Sequence, residues 1–322
     1  MPQPTVRDVH IDAALTNVSV AYTQDASNFI ADKVFPIVPV QKQSDKYWTY
    51  EKGMFFRDAA QKRAPGTESA GSGYKLGTAS YFAEKWSLHK DVDDDTVSNQ
   101  DATIDCYRDA ATFVMENLLI RRERLFVDEF LKTGIWGTDV TGGTNFAQWD
   151  DEATSDPAED IKNARIKILL NTGRLPNCLT VDIYTHEALK KHPLIQAKFF
   201  GVVGGSGNVS EQMLASYFEV EKYLVSKAVY TASDETVATP TMAFVAPKCA
   251  LLSYAPAVAS TMAPSAGYIF GWAGLTGLNN LGIRTKRFRM EKLEAERVEN
   301  TMAFDMKLVA ADCGYFFSAT VS

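Results

Sequence analysis

Cysteine is scarce in this 322-residue chain: four residues, Cys106, Cys178, Cys249 and Cys313, stand far apart with no CxxC pair. That spacing indicates neither a structural zinc site nor a small disulfide framework, and it fits synthesis in a reducing, cytosolic compartment. Positive charge is not in excess either. Thirty-three Lys and Arg stand against 40 Asp and Glu, a net charge of −7. A protein that grips nucleic acid by neutralising phosphates normally carries a basic balance or stripe, and neither dominates here. No run approaches 18 consecutive apolar residues, so the sequence holds no membrane-spanning helix. The first 22 residues place Arg7, Asp8 and Asp12 ahead of their apolar residues with no continuous apolar core, unlike a secretory signal. With 20 Gly, 12 Pro and 23% charged residues, the chain is neither fibrous nor disordered. Its length suits about two domains of roughly 150 residues.

What is present is a sequence of segments with different characters. Residues 1–45 show no sustained helical period, and Pro36 and Pro39 interrupt the apolar run FIADKVFPIVPV. Proline removes a ladder donor, so this reads as an extended edge or arm rather than a central strand. KYWTYEKGMFFRD and TASYFAEKWSLHK read as aromatic strands joined by about 20 small, polar, glycine-rich residues: a long hairpin whose tip has no core of its own. From about residue 98 to 133 a helical period takes over, with Ser98, Asp101 or Thr103 as candidate caps and Gly134 and Gly137 as the stop. Tyr107, Ala111, Val114, Leu118 and Leu125 form one stripe, and Phe113, Ile120, Phe126 and Phe130 another.

Asp156-Pro157 starts a second helix that places Ile161, Ala164, Ile168 and Leu169 on one face and stops at Gly173. A strand CLTVDIY, a helix THEALKKHP closed by Pro193, a glycine-rich loop GVVGGSG, a helix from Ser210 to Phe218 and a strand EKYLVSKAVY follow. This alternation predicts a compact α/β module over 157–255. The last 40 residues read as long strands. In TMAFDMKL, Met302, Phe304, Met306 and Leu308 alternate towards a buried face, and the turn at 312–314 redirects the chain into YFFSATV.

No motif carries chemistry. GVVGGSG fits neither GxGxxG nor a P-loop, and Ser206 is not framed as a nucleophile elbow. His186 and His192 lie six apart, too far round a helix to share a face as the HExxH histidines do, and read as solvent-facing. Asp91, Asp93, Asp94 and Asp95 lack the glycine and closing Glu of an EF-hand loop and read as a solvated helix start. The basic run RTKRFRMEK, with Arg284, Lys286, Arg287 and Arg289, is followed by the acids of EKLEAERVE. It reads as one rim of an ion-paired interface between chains. No catalytic, cofactor or metal residues are therefore assigned.

An arm, a long hairpin, one long helix, an α/β module and returning strands follow one another here. The carrying stretches are ASNFIADKVFPIVPVQKQSDKYWTYEKGMFFRD, QKRAPGTESAGSGY, ENLLIRRERLFVDEFL and RVENTMAFDMKLVAADCGYFF. In this order the chain resembles the major capsid proteins of tailed bacteriophages along essentially its whole length. The resemblance implies an α+β fold with an N-terminal arm (1–45) and an extended E-loop hairpin (46–87). A peripheral domain with its spine helix (88–156), an axial domain (157–281), peripheral return strands (282–312) and a terminal strand of the axial domain (313–322) would follow.

It also implies a non-enzymatic shell protein that forms hexamers and pentamers of itself around double-stranded DNA, in the virion, made in the host cytoplasm. Heterologous contacts between identical chains close into such rings. Scaffold and portal proteins would be separate, since no long charged coiled-coil prefix opens the chain, and decoration proteins are left open. An acidic wall would enclose DNA without gripping it. The expected intersubunit contacts are Trp48, Phe55, Phe56, Arg57, Lys62 and Arg63 in the hairpin and Arg284, Arg287 and Arg289 in the returning strands. Some relatives cross-link a loop lysine to an asparagine. Lys62 stands near the tip, but the sequence identifies no partner. Two other readings stand beside this one: an encapsulin-like nanocompartment, and a soluble α/β enzyme built on 157–255.

Overall fold

The computed structural model describes residues 23–100, 105–201, 207–234, 236–237, 239–259, 263–274 and 282–322. Its strands are β1 Ile37–Val40, β2 Ser44–Tyr50, β3 Leu76–Phe82, β4 Glu84–Asp93, β5 Thr138–Thr141, β6 Cys178–Asp182, β7 Lys222–Ser226, β8 Val229–Thr231, β9 Met242–Phe244, β10 Cys249–Ser253, β11 Gly267–Trp272, β12 Ile283–Met290, β13 Ala295–Leu308 and β14 Gly314–Ser318. Its α-helices are α1 Ala31–Val34, α2 Lys52–Phe55, α3 Asp94–Ser98, α4 Cys106–Phe130, α5 Pro157–Thr172, α6 Ile183–Lys191, α7 Pro193–Phe200 and α8 Glu211–Tyr217.

Two five-stranded sheets organise the chain. In the first, β13 is the hub: residues 295–302 pair with β4 on one side and β12 on the other, and residues 304–308 pair with β11. β1 lies parallel to β11 at the sheet's edge, with Pro39 opposite Gly271. Proline is tolerated there because an edge strand lacks one row of ladder partners. The alternation in TMAFDMKL is only part of the pattern, because residues 300–304 are buried on both faces. α4 crosses the other strands of this sheet, packing on β4 and β13.

The second sheet runs β5-β14-β10-β6-β7, with β6/β7 and β5/β14 parallel and β10 antiparallel to its neighbours. β6 and β10 are buried along their whole length, so both faces are mostly apolar, and the polar Thr180, Asp182 and Ser253 are buried with them. Cys178, Cys249, Leu251 and Phe316 face a core shared with Phe126 and Phe130 of α4. Leu179, Val181, Ala250, Leu252 and Phe317 face a second core covered by α5, α6, α7 and α8. Strands from outside 157–255, β5 and β14, complete the sheet.

The long helix is shorter than its sequence pattern. Asp105 caps it, accepting from the Tyr107 and Arg108 N–H groups at 3.1 Å, and it ends at Leu131. Its 25 residues span about 37 Å at about 1.5 Å per residue. The segment 94–98 is a separate short helix, and the candidate caps Asp101 and Thr103 lie outside the described residues. Ala110, Val114, Leu118, Phe126 and Phe130 form its buried face, while Phe113 is exposed.

α5 begins as its sequence demands. Asp156 accepts the Ala158 and Glu159 N–H groups at 3.1 Å, Pro157 occupies the first turn, and Gly173 closes the helix at φ +65°. Ile161, Ala164 and Ile168 are buried, each isoleucine contributing about 1.5–3 kcal/mol, but Leu169 points outward. Pro193 does more than close α6, because it opens α7 directly behind it. The predicted strand TASYFAEKWSLHK, residues 78–90, falls in two strands. β3 pairs with β2 in the hairpin and β4 joins the first sheet, divided at buried Ala83. Residues 29–35 of the expected arm lie in the chain's own core: Phe29, Ile30, Ala31, Val34 and Phe35 are buried.

Candidate intersubunit surfaces

The β2–β3 hairpin is anchored at its base and leaves most of its aromatic rings exposed beyond it. Tyr81 stacks on Phe270 of β11 at 4.6 Å, Tyr47 packs on the same ring at 5.4 Å, and the Phe82 N–H donates to Asp305 at 2.8 Å. Farther out, Tyr50, Phe55 and Tyr74 form a ring cluster with centroids 5.7–6.0 Å apart. Trp48 and Phe56 are each 63% exposed, and Phe55 and Leu76 are exposed too. Residues 56–75 contain no helix or strand, and Arg57, Lys62 and Arg63 are exposed there. Arg63 Nε donates to the Thr67 carbonyl at 2.5 Å, closing a local turn. Lys52 pairs with Asp312, and Phe56 lies over Gly173 at the end of α5, where an added Cβ would sit 3.2 Å from the ring.

The basic residues of β12 lie on an outer strand of the first sheet, and two of them are satisfied within the chain. Arg289 forks onto Asp94 at 2.5 and 2.6 Å. Arg287 pairs with Glu296 and covers the Tyr107 ring at 3.5 Å. Neighbouring Arg297 forks onto Asp91 at 2.7 and 2.8 Å. These hydrogen bonds hold the Asp91 and Asp94 carboxyls below the usual carboxylate range. Arg284 is half-buried opposite Thr301. The cross-strand charge pattern of RTKRFRMEK and EKLEAERVE thus finds its partners inside the chain for Arg287 and Arg289.

A surface that sequence reading missed lies on α5. With Ile161, Ala164 and Ile168 already filling the inward face, Ile166, Leu169 and Leu170 stand outward, followed by exposed Leu175; Leu170 is 78% exposed. The signal was the surplus: the run IKILL supplies more apolar residues than one inward stripe uses. Tyr184, Met242 and Phe244 form a smaller exposed apolar patch, with Tyr184 and Phe244 edge to face at 5.5 Å.

His186 and His192 are buried rather than solvent-facing. His186 Nδ1 lies 3.0 Å from the Tyr223 hydroxyl and His192 Nε2 2.9 Å from Ser155, tying α6 to β7 and to the loop before α5. Burial lowers both imidazole pKa values. The acidic run is not merely solvated: Asp91 and Asp94 hold arginines, and Asp93 accepts the Thr96 hydroxyl at 2.9 Å. Among the described residues no group of His, Cys, Asp and Glu could hold a metal ion, and no helix is long and apolar enough to cross a membrane. Residues 202–206 of the glycine-rich loop, Ser206 included, lie outside the described residues.

A protein of this design, two sheets joined by one long helix with a hairpin projecting from the first, has counterparts among solved structures. The capsid of Cyanophage P-SCSP1u superposes with a TM-score of 0.64 over 97% of this chain and 93% of that one, at 13% identity. A phage-related protein of Bordetella bronchiseptica RB50 matches with a TM-score of 0.67 over 92% and 93% of the two chains, at 21% identity. The chain has the tailed-phage capsid fold. In sequence, the major capsid protein of Pseudomonas phage JBD67 is 27% identical over 225 residues, 68% of this chain and 69% of that protein. No family model matches. The same fold also serves the holo-SrpI encapsulin complex of Synechococcus elongatus PCC 7942, which matches with a TM-score of 0.60 at 11% identity over 97% of this chain and 96% of that one. In this capsid fold the β2–β3 hairpin and the outward face of α5 each leave several large apolar side chains bare among the described residues of the single chain.

Proposed function

We propose that this protein is the major capsid protein of a tailed phage, a structural subunit that assembles with copies of itself into an icosahedral shell of hexamers and pentamers around double-stranded DNA. The observation that carries the reading is the capsid fold along essentially the whole chain, together with sequence similarity to a phage major capsid protein over two thirds of it. The exposed aromatics of the hairpin support it, because a subunit with this much bare apolar surface gains by burying it on neighbours. In this reading residues 46–87 are an E-loop laid over a neighbouring subunit, and Trp48, Phe55, Phe56, Arg57, Lys62 and Arg63 contact it. Residues 157–281 with the terminal strand are the axial domain, meeting its copies through the face of α5. Residues 88–156 and 282–312 form the peripheral domain, with Arg284, Arg287 and Arg289 carried on β12. The protein acts in the virion and is made in the host cytoplasm, has no enzymatic role, and works with separate scaffold and portal proteins.

Electron microscopy and light scattering of the purified protein test this. Rings or closed particles of many subunits are expected, and a well-behaved 35.5 kDa monomer at all concentrations would overturn the reading. The second reading, a nanocompartment, is favoured by the encapsulin match, and particle contents separate the two: packaged DNA for a capsid, protein cargo for a compartment.

A further inference from the structure

Residues 24–35 cross α4 as a strap held through main-chain groups. Glu116 accepts the Gln24 N–H at 2.9 Å, and the Gln24 side chain donates to the Val229 carbonyl at 2.7 Å and accepts its N–H at 2.9 Å. Two turns along α4, on the same face, Glu123 accepts the Ile30 N–H at 3.1 Å and the Ala31 N–H at 3.0 Å, at the start of α1. Lys222 of β7 donates to the Lys33 carbonyl at 3.1 Å.

Glu123 is wholly buried, beside an apolar cluster that includes Ile30, Ala31, Val34, Phe35 and Phe126. Two charged groups act on it: Arg122 from its own helix and Asp32 from the strap. Arg122 already pairs with Asp32 at 3.2 Å, so one cation serves two carboxylates. The nearby lysines are turned elsewhere, Lys33 to the Ala26 and Ser27 carbonyls and Lys222 to that of Lys33. A carboxylate left without a cation of its own in such a place favours the neutral acid, and burial pushes the Glu123 pKa up to about 7 against the two N–H bonds that oppose it.

We propose that residues 24–35 form a proton-gated strap: it closes over α4 with Glu123 protonated beneath residues 30 and 31, and opens more readily as that carboxyl ionises. In the open strap the side chain meets water and its pKa returns towards 4.5. A carboxyl whose closed-state pKa lies above its open-state pKa takes up a proton on closing. Closure is therefore strongest below about 4.5, weakens as pH rises to about 7, and changes no further above it. The device belongs to the single subunit. Only its consequence, a shell whose N-terminal segments tighten on acidification, rests on the proposed function.

Hydrogen exchange of the full chain, kept dilute and dispersed, tests it. Between about pH 5 and about pH 8, after correction for intrinsic rates, the opening equilibrium of the Ile30 and Ala31 amides is expected to rise on the order of 100-fold. Glu123→Gln, neutral throughout and still offering an oxygen to both N–H groups, removes that dependence. Wild-type protection independent of pH, or an unchanged slope in Glu123→Gln, overturns the proposal. Should the variant not fold, the wild-type Glu123 carboxyl carbon is titrated by NMR: a midpoint near 7 supports the gate and one near 4.5 overturns it. A chain that never assembles would sink the shell reading and leave this measurement intact.

Discussion

Trp149 ties its own loop to α5 and to the C-terminal segment more than 160 residues away. Its ring is fully buried between Phe146 and Phe317, at 5.8 and 5.2 Å, its indole N–H donates to Asp160 of α5 at 3.0 Å, and its main-chain N–H donates to the Thr320 carbonyl at 2.7 Å. Trp149→Ala is expected to lower unfolding free energy by about 3–5 kcal/mol, read from urea unfolding followed by circular dichroism. Trp149→Phe should cost less, through the lost donor to Asp160, whose carboxyl burial already pushes up. Neither Trp149 nor Glu123 could be singled out beforehand. Trp149 stands in the polar loop NFAQWDDE and Glu123 in the charged run RRER, where tryptophan and glutamate read as surface residues. The charge of Arg287 and Arg289 is legible in the sequence, but whether they meet Glu296 and Asp94 of their own chain or acids of another is a question of tertiary placement.

At the level of elements, local chemistry was legible where a cap and an apolar stripe coincide. The start of α5 at Pro157 and its stop at Gly173 follow from Asp156, Pro157 and Gly173 alone. The long helix starts later than the candidate caps at Ser98, Asp101 and Thr103 because Asp105, just ahead of the first apolar stripe residue Tyr107, supplies the cap. Pro193 was read only as a stop because proline ends one helix and begins the next with the same fixed φ. The hairpin is the clearest element with little core of its own beyond its base. Deleting about residues 60–73, which are exposed throughout, is expected to leave the circular dichroism spectrum and melting curve of the subunit near wild type while reducing particle yield. Unchanged yield by electron microscopy would remove the loop from the assembly contacts.

For the whole molecule, the decisive quantity is apolar surface that the single chain leaves uncovered. The face of α5 with Ile166, Leu169 and Leu170 is rimmed by charged residues, including the Lys162–Glu159 pair at 2.9 Å, as an association surface tends to be. The double substitution Ile166→Glu and Leu170→Glu is expected to change subunit stability by no more than about 0.5 kcal/mol, since both sites are exposed. The same pair should shift sedimentation towards small species if this face meets another copy. Sedimentation velocity alongside urea unfolding separates the two effects.

The sequence by itself determined the order of segments, the absence of basic excess and of long apolar runs, and the hairpin with its bare tip, because these depend on composition and on local periodicity. Tertiary structure alone decided that residues 29–35 belong to the chain's own core, that His186 and His192 are buried, and that β5 and β14 complete the sheet of the α/β module. It also decided that Arg287 and Arg289 are already paired and that α5 keeps a second apolar face. The physical reason is the same in each case. Burial and pairing depend on partners brought together from up to hundreds of residues away, and no window of sequence holds both sides of such a contact.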